Sequence, residues 1–332
     1  MLPSSDPGMP LPRICFTTLP KQATRPPSTG EKNVEFDRTF EPHYGMPVEI
    51  MPGVSRMTVN NPSPFTFHGT NTYLVGKGAV AIIDPGPEDD AHLAALLGAI
   101  GSRPVTHIIV THTHRDHSPL TRRLAEITGA PLLGFGPHRP SRHPAAHELA
   151  QLDAAGDTDF VPDVTLSDND LIEGDGWALR AIHTPGHASN HCAFALEGTG
   201  VTFSGDHVMA WSTTVVAPPD GSMADYMASL DKLLERDDRL LLPGHGGPVT
   251  KPVAFLRGLR AHRKMRERAI LERLAMGDRT IPQIVATLYR DTDPRLHGAA
   301  ACSVFAHMED LLQRNLVICH GQPSINAEYE LA

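Results

Sequence analysis

Between residues 48 and 250 the chain alternates short apolar runs with turn residues. The runs fall at 72–75, 80–83, 105–110, 178–182, 192–196, 201–203 and 240–242, and two of them close on turn chemistry, Asp84-Pro85-Gly86 and Pro243-Gly244. Apolar stretches of this length bounded by Pro, Gly and Asp predict strands. Between some of them the spacing changes: 90–100 places Leu93, Leu96, Leu97 and Ile100 on one helical face, 226–235 does the same with Met227, Leu230, Leu233 and Leu234, and 120–128 is a third helical stretch. Strands interleaved with helices predict α/β layering.

After Lys251 helical spacing dominates, at 255–276, 281–289 and 298–315, and strand-like sequence returns only at 316–319. Thr280 followed three residues later by Gln283 makes a capping box, and Ile281, Ile284, Val285 and Leu288 give the helix behind it one apolar face. A small helical domain is the expectation. Residues 1–47 differ from both regions, with nine prolines and no periodic apolar pattern. They read as an irregular arm that borders the groove of the domain, or reaches a partner subunit in a homodimer. The expected division is an arm at 1–47, an α/β domain at 48–250, a helical domain at 251–322 and a tail at 323–332.

Composition narrows the class. A chain of 332 residues, 40% hydrophobic and 20% charged, can bury a sizeable core. Mean hydropathy is −0.21, no apolar run approaches the roughly 20 residues of a membrane helix, and the N-terminus lacks the apolar stretch of a secretory signal. A cytoplasmic protein away from membranes is expected. Cys15, Cys192, Cys302 and Cys319 are widely spaced with no C-x-x-C pair, which argues against a disulfide scaffold and a thiolate zinc site. The net charge of −9 is uneven: residues 251–320 hold 12 Lys and Arg against 7 Asp and Glu, the rest of the chain 17 against 31.

Histidine is over-represented, with 19 copies against 5 Tyr and 2 Trp. The run Thr106-His-Ile-Ile-Val-Thr111 opens directly into His112-Thr-His114-Arg-Asp116-His117, four metal-competent side chains within six residues at a strand end. Residues i and i+2 point to the same side as a strand ends, so His112 and His114 can chelate one ion while the turn swings Asp116 and His117 toward a second. Three further segments end a strand on a polar ligand: Ile182-His-Thr-Pro-Gly-His187, Phe203-Ser-Gly-Asp206 and Leu242-Pro-Gly-His245, each with glycine just before it.

In these residues and their order the chain resembles the metallo-β-lactamase superfamily, whose signature runs H-x-H-x-D-H, His, Asp, His, with an earlier strand closed by an Asp, here Asp84. The resemblance implies a four-layer αββα sandwich at 48–250. It implies one ion held by His112, His114 and His187, a second by Asp116, His117 and His245, and the Asp206 carboxylate between them, with Asp84 behind the ligands. His191, four residues after His187, is read either as support for Asp206 or the metal ligands, or as packing. Such donors suit two divalent cations, zinc first, with iron or manganese open. A metal-bridging hydroxide would be the nucleophile, and Asp116 would orient it and pass a proton to the leaving group.

Asp206 stands where the main class of true metallo-β-lactamases has a cysteine, which argues against β-lactams. Gly69-Thr-Asn-Thr-Tyr-Leu-Val75, Ser212-Thr-Thr214 and Asp225-Tyr-Met-Ala-Ser-Leu230, with the C-terminal helices, resemble the beta-lactamase-like protein 2 group, which carries a winged-helix domain. That resemblance leaves two substrate classes: an ester or thioester, placed first, and single-stranded RNA. Arg257, Arg260, Arg263, Lys264, Arg266, Arg268 and Arg273 give a basic helix, read either as a phosphate-contacting surface for RNA or as a solvated face or an interface to the catalytic domain. The negative catalytic region and the lack of a visible aromatic platform speak against RNA. A DNA-binding sensor of metal or ligand is the third reading. His138, His143 and His147 are expected on an exposed loop, His183 in a strand, His68 in a turn, and Cys192 as a buried thiol.

Overall fold

The structure, a computed structural model, describes residues 34–145, 148 and 155–332. Most of the arm and His147 therefore lie outside the described residues.

Two mixed sheets face each other. The first has seven strands in sequence order: β1 (Val48–Met51), β2 (Val54–Thr58), β3 (Asn71–Val75), β4 (Val80–Ile83), β5 (Val105–Ile109), β6 (Leu132–Gly134) and β7 (Val164–Thr165). They pair antiparallel up to β4 and parallel from β4 onward. The second sheet runs β12 (Leu240–Pro243), β11 (Val201–Gly205), β10 (Cys192–Leu196), β9 (Trp177–His183) and β8 (Leu171–Gly174). Its β11–β12 pair is parallel and the rest antiparallel.

Strand β4 shows why the layers form. All four residues are buried, because alternate side chains serve different cores. Ala81 and Ile83 join Tyr73, Ile109, Phe194 and Phe203 between the sheets. Val80 and Ile82 pack outward with Leu93 and Leu96 of α1 (Asp90–Ile100) and Leu124 of α2 (Thr121–Thr128). On the far side, Ile182, Ala193 and Ala195 of the second sheet meet Tyr226, Leu230 and Leu233 of α3 (Met223–Leu234). The order is helix, sheet, sheet, helix, the four-layer sandwich expected.

The C-terminal region comprises α4 (Pro252–Ala275), α5 (Ile281–Leu288), α6 (His297–Gln313) and the antiparallel pair β13 (Val317–His320) and β14 (Glu328–Leu331). The capping box forms, with Gln283 Oε1 accepting from the Thr280 backbone N–H at 3.0 Å. Two details depart from the expected division. Residues 323–332 are more than a tail, since β14 completes the hairpin and buries Tyr329 in the helical core. Helix α4 serves two cores: Leu256 and Leu259 pack with the second sheet and α3, Ile270 and Leu274 with α5 and α6. The described end of the arm is also anchored, through Phe36 on Phe255 and the Asp37 N–H on the Ala210 carbonyl.

Candidate metal centre

Strands β4, β5, β9, β11 and β12 end at one edge, and the segments that leave them carry Asp84, His112 to His117, His187, Asp206 and His245. Seven of these side chains gather into two clusters, His112 with His114 and His187, and Asp116 with His117, Asp206 and His245. In the first, His114 Nδ1 lies 3.0 Å from His112 Nε2 and 3.0 Å from His187 Nε2. In the second, His245 Nε2 is 3.1 Å from both Asp116 Oδ2 and Asp206 Oδ2, and His117 Nε2 is 3.3 Å from Asp116 Oδ2 and 3.3 Å from His245 Nε2. Asp206 stands between the clusters, its Oδ2 3.6 Å from His187 Nε2, and its buried Oδ1, 3.5 Å from His117 Nε2, has no hydrogen-bond partner among the described residues.

The outer nitrogens decide what the inner ones offer. His187 Nδ1 donates to the Val215 carbonyl at 2.7 Å and His114 Nε2 to Asp220 Oδ2 at 2.7 Å. Thr111 gives its hydroxyl proton to Asp84 Oδ2 at 2.7 Å, so His112 Nδ1 donates to Thr111 Oγ1 at 3.0 Å. With each proton committed outward, three lone pairs face one another, which is repulsive unless a cation sits between them. The spacing fits one: imidazole bonds of about 2.0–2.1 Å in a tetrahedral shell put neighbouring nitrogens about 3.3 Å apart. The second cluster follows the same rule, with His117 Nδ1 on Asp84 Oδ2 at 3.0 Å and His245 Nδ1 on the Gly69 carbonyl at 3.2 Å.

Local sequence permits this crowding. A Cβ on Gly244 would overlap the Asp206 carboxylate and come within 2.7 Å of His117 Cε1. Gly205 has φ +49° and its missing Cβ leaves room for His191 Nε2 and Thr111. His191 Nε2 in turn accepts from the Asp206 N–H at 3.2 Å, while its Nδ1 meets Thr184 Oγ1 at 2.8 Å.

Residues 65–245 match the model of the metallo-beta-lactamase superfamily, and residues 280–324 that of the beta-lactamase associated winged helix domain. The chain belongs to the metallo-beta-lactamase superfamily. It is similar to a beta-lactamase-like protein 2 homolog of Drosophila melanogaster, 30% identical over 79% of this chain and 91% of that protein. It is also similar to an atrochrysone carboxyl ACP thioesterase of Cryptosporiopsis, 30% identical over 74% of each chain. Among solved structures, a metallo-beta-lactamase family protein from Thermus thermophilus covers 86% of this chain and all of its own at 27% identity, with a TM-score of 0.68. The chain is thus a metallo-beta-lactamase superfamily hydrolase with a C-terminal winged helix.

The first cluster of this superfamily site is mixed in its electrostatics: burial opposes charge on His114, but its hydrogen bond to Asp220 raises it above the usual imidazole value. Burial holds His112 well below the ordinary imidazole range, and burial together with His114 lowers His187 to about 4. Burial also opposes charge on His117 and His245, but Asp206 and Asp116 overcome it, raising His117 well above its usual value and His245 to about 9. The carboxylates in turn stay ionised despite burial, held well below their usual range by these rings. A buried pair of carboxylates among imidazoles is a donor set for a divalent cation. Asp116 is the most open of the seven, 27% exposed against 15% for His114 and 11% for His187.

Several partners were invisible in the sequence. Asp220 lies 106 residues beyond the histidine it holds, and Val215 and Gly69 contribute backbone carbonyls, which no residue type signals. One aromatic pair is formed across the chain: half-buried Phe67 stacks on half-buried Trp211 at 4.8 Å with an 8° interplanar angle, beside Gly246. The partners are far apart in sequence, so the pair could not be read from it. His138 is half-buried, with Nδ1 on Thr113 Oγ1 at 2.9 Å, rather than exposed on the loop. His143 is exposed, His183 stacks on Phe135, the His68 ring lies against Phe67, and burial pushes the Cys192 thiol up.

Proposed function

We propose that this chain hydrolyses an ester or thioester with two divalent cations, one held by His112, His114 and His187, the other by Asp116, His117 and His245, with Asp206 shared. The observation that carries the reading is the three imidazole lone pairs that converge at 3.0 Å with every outer proton already committed. When bound, the cations supply Lewis acidity toward a substrate oxygen and a water acidic enough to attack at neutral pH. Asp84 and Asp220 fix ring orientation, so the donors need not reorganise on loading. Asp116, the most open donor, is placed to take and return the proton that the leaving group needs. Zinc, iron and manganese all suit the donors.

An acyl substrate is favoured over RNA by what happens to the basic helix. Of its seven cations, Arg260 pairs with Asp231 at 2.8 Å, Arg273 with Asp278 at 2.7 Å, Arg266 lies over the Tyr289 ring and Arg263 is buried. Of the seven, only Arg257, Lys264 and Arg268 stay exposed with no carboxylate of the described residues against them. The thioesterase name borne by a relative of 30% identity points the same way. The test is turnover of a simple acyl thioester beside labelled single-stranded RNA by the metal-reconstituted protein, with His112→Ala and Asp116→Ala as blanks. Thioester turnover lost in both blanks is expected. RNA cleavage lost in both, with the thioester untouched, would replace this reading, and salt-sensitive duplex DNA binding without hydrolysis would favour the sensor.

A further inference from the structure

Helix α4 turns one charged side chain inward. Arg263 is 4% exposed, and its Nη2 donates to the Thr214 carbonyl at 2.6 Å. Its guanidinium carbon lies 5.0 Å from the centre of the Tyr226 ring, and its Nε has no hydrogen-bond partner among the described residues. Among the described residues no carboxylate forms an ion pair with it. A buried guanidinium without a counter-charge is costly, so what it holds matters.

It holds the segment that touches both cation clusters. The Thr214 hydroxyl donates to the Asp206 carbonyl, and the next residue, Val215, gives the carbonyl that accepts the His187 Nδ1 proton at 2.7 Å. The Asp206 N–H is fixed from the other side by His191. Residues 214 and 215 therefore set the ring plane of His187 and one flank of Asp206, and Arg263 is the charged contact that fastens them to α4. We propose that Arg263 is a positioning residue for the metal centre, by which the long C-terminal helix holds two of the cation donors in place. The proposal rests on the two-cation reading above.

The test uses the full-length chain loaded with zinc or cobalt(II). It compares release of cation to a chromophoric chelator, the cobalt(II) absorption spectrum and the urea midpoint for Arg263→Met, Arg263→Lys and Leu259→Ala. Leu259 lies on the same helix in the adjoining apolar core, so its truncation lowers stability without touching the segment. The expected result is release at least about 10-fold faster in Arg263→Met, the scale on which partners behind a ligand act, with a changed cobalt spectrum. Arg263→Lys, which keeps a cationic donor, restores most of it, and Leu259→Ala releases cation at the wild-type rate despite its stability loss. If Arg263→Met does not fold, Thr214→Val, which removes only the hydroxyl on Asp206, gives the same direction.

Wild-type release in Arg263→Met and Thr214→Val would overturn the proposal. So would release that follows urea stability across all variants with no rescue by lysine. A wild-type chain that binds no cation would sink the two-cation reading itself, and that outcome is visible before any variant is made.

Discussion

Each imidazole of the first cluster has one nitrogen committed to a fixed acceptor, and the strength of the site depends on those acceptors as much as on the ligands. Asp220→Ala removes the partner of His114 Nε2 and is expected to weaken cation affinity by about 10–100-fold, measured by chelator competition. Unchanged affinity would mean the ring is oriented by packing alone. Gly244→Ala presses a methyl group on Asp206 and His117 and is expected to cost about 1–3 kcal/mol by overpacking, with loss of cation from the second cluster. A denaturation curve with metal analysis checks both. At this scale the seven side chains that cluster were legible because H-x-H-x-D-H and the three glycine-led segments are local patterns. Asp220, Thr214 and Val215 were not, because what they contribute is a position in space relative to residues far along the chain.

Elements were legible where one residue pattern meets one environment. Strands β4 and β10 and helix α1 begin and end where the apolar spacing places them. Strands β1 and β2 were missed because they adjoin the proline-rich arm, and because β2 carries Arg56, a buried cation that lies over the Phe40 ring and donates to the Glu41 carbonyl. The domain boundary at 250 followed the change in periodicity and charge, but a single helix 24 residues long can enter one core with its first half and another with its second. Strand β14 was hidden by its polar sequence, in which only Tyr329 is fully buried. Tyr329→Ala is expected to cost about 3–5 kcal/mol, as for other large aromatic truncations. Equilibrium unfolding in urea measures it, and a loss below about 1 kcal/mol would show that the hairpin is not part of the helical core.

For the whole molecule the question is what the uneven charge is for. Four of the seven cations of the basic helix, which the sequence left between an RNA surface and a solvated face or domain interface, are engaged by the protein itself: Arg260 and Arg273 pair with Asp231 and Asp278, Arg266 lies over the Tyr289 ring, and Arg263 holds the segment at Thr214. The remaining exposed trio gives a direct test. Replacing Arg257, Lys264 and Arg268 together with Glu is expected to leave acyl turnover unchanged. Were RNA the substrate, binding would instead lose salt dependence, by about 0.7 in the log–log slope for each phosphate contact removed. The central claim is that the two clusters each hold a cation, and the most direct measurement is elemental analysis of the purified, metal-reconstituted chain beside His187→Ala and His245→Ala. Two equivalents per chain in the wild type and one in each variant is the expected result, following from the two donor clusters. A wild type that holds no tightly bound metal, or variants that both retain two equivalents, would contradict it.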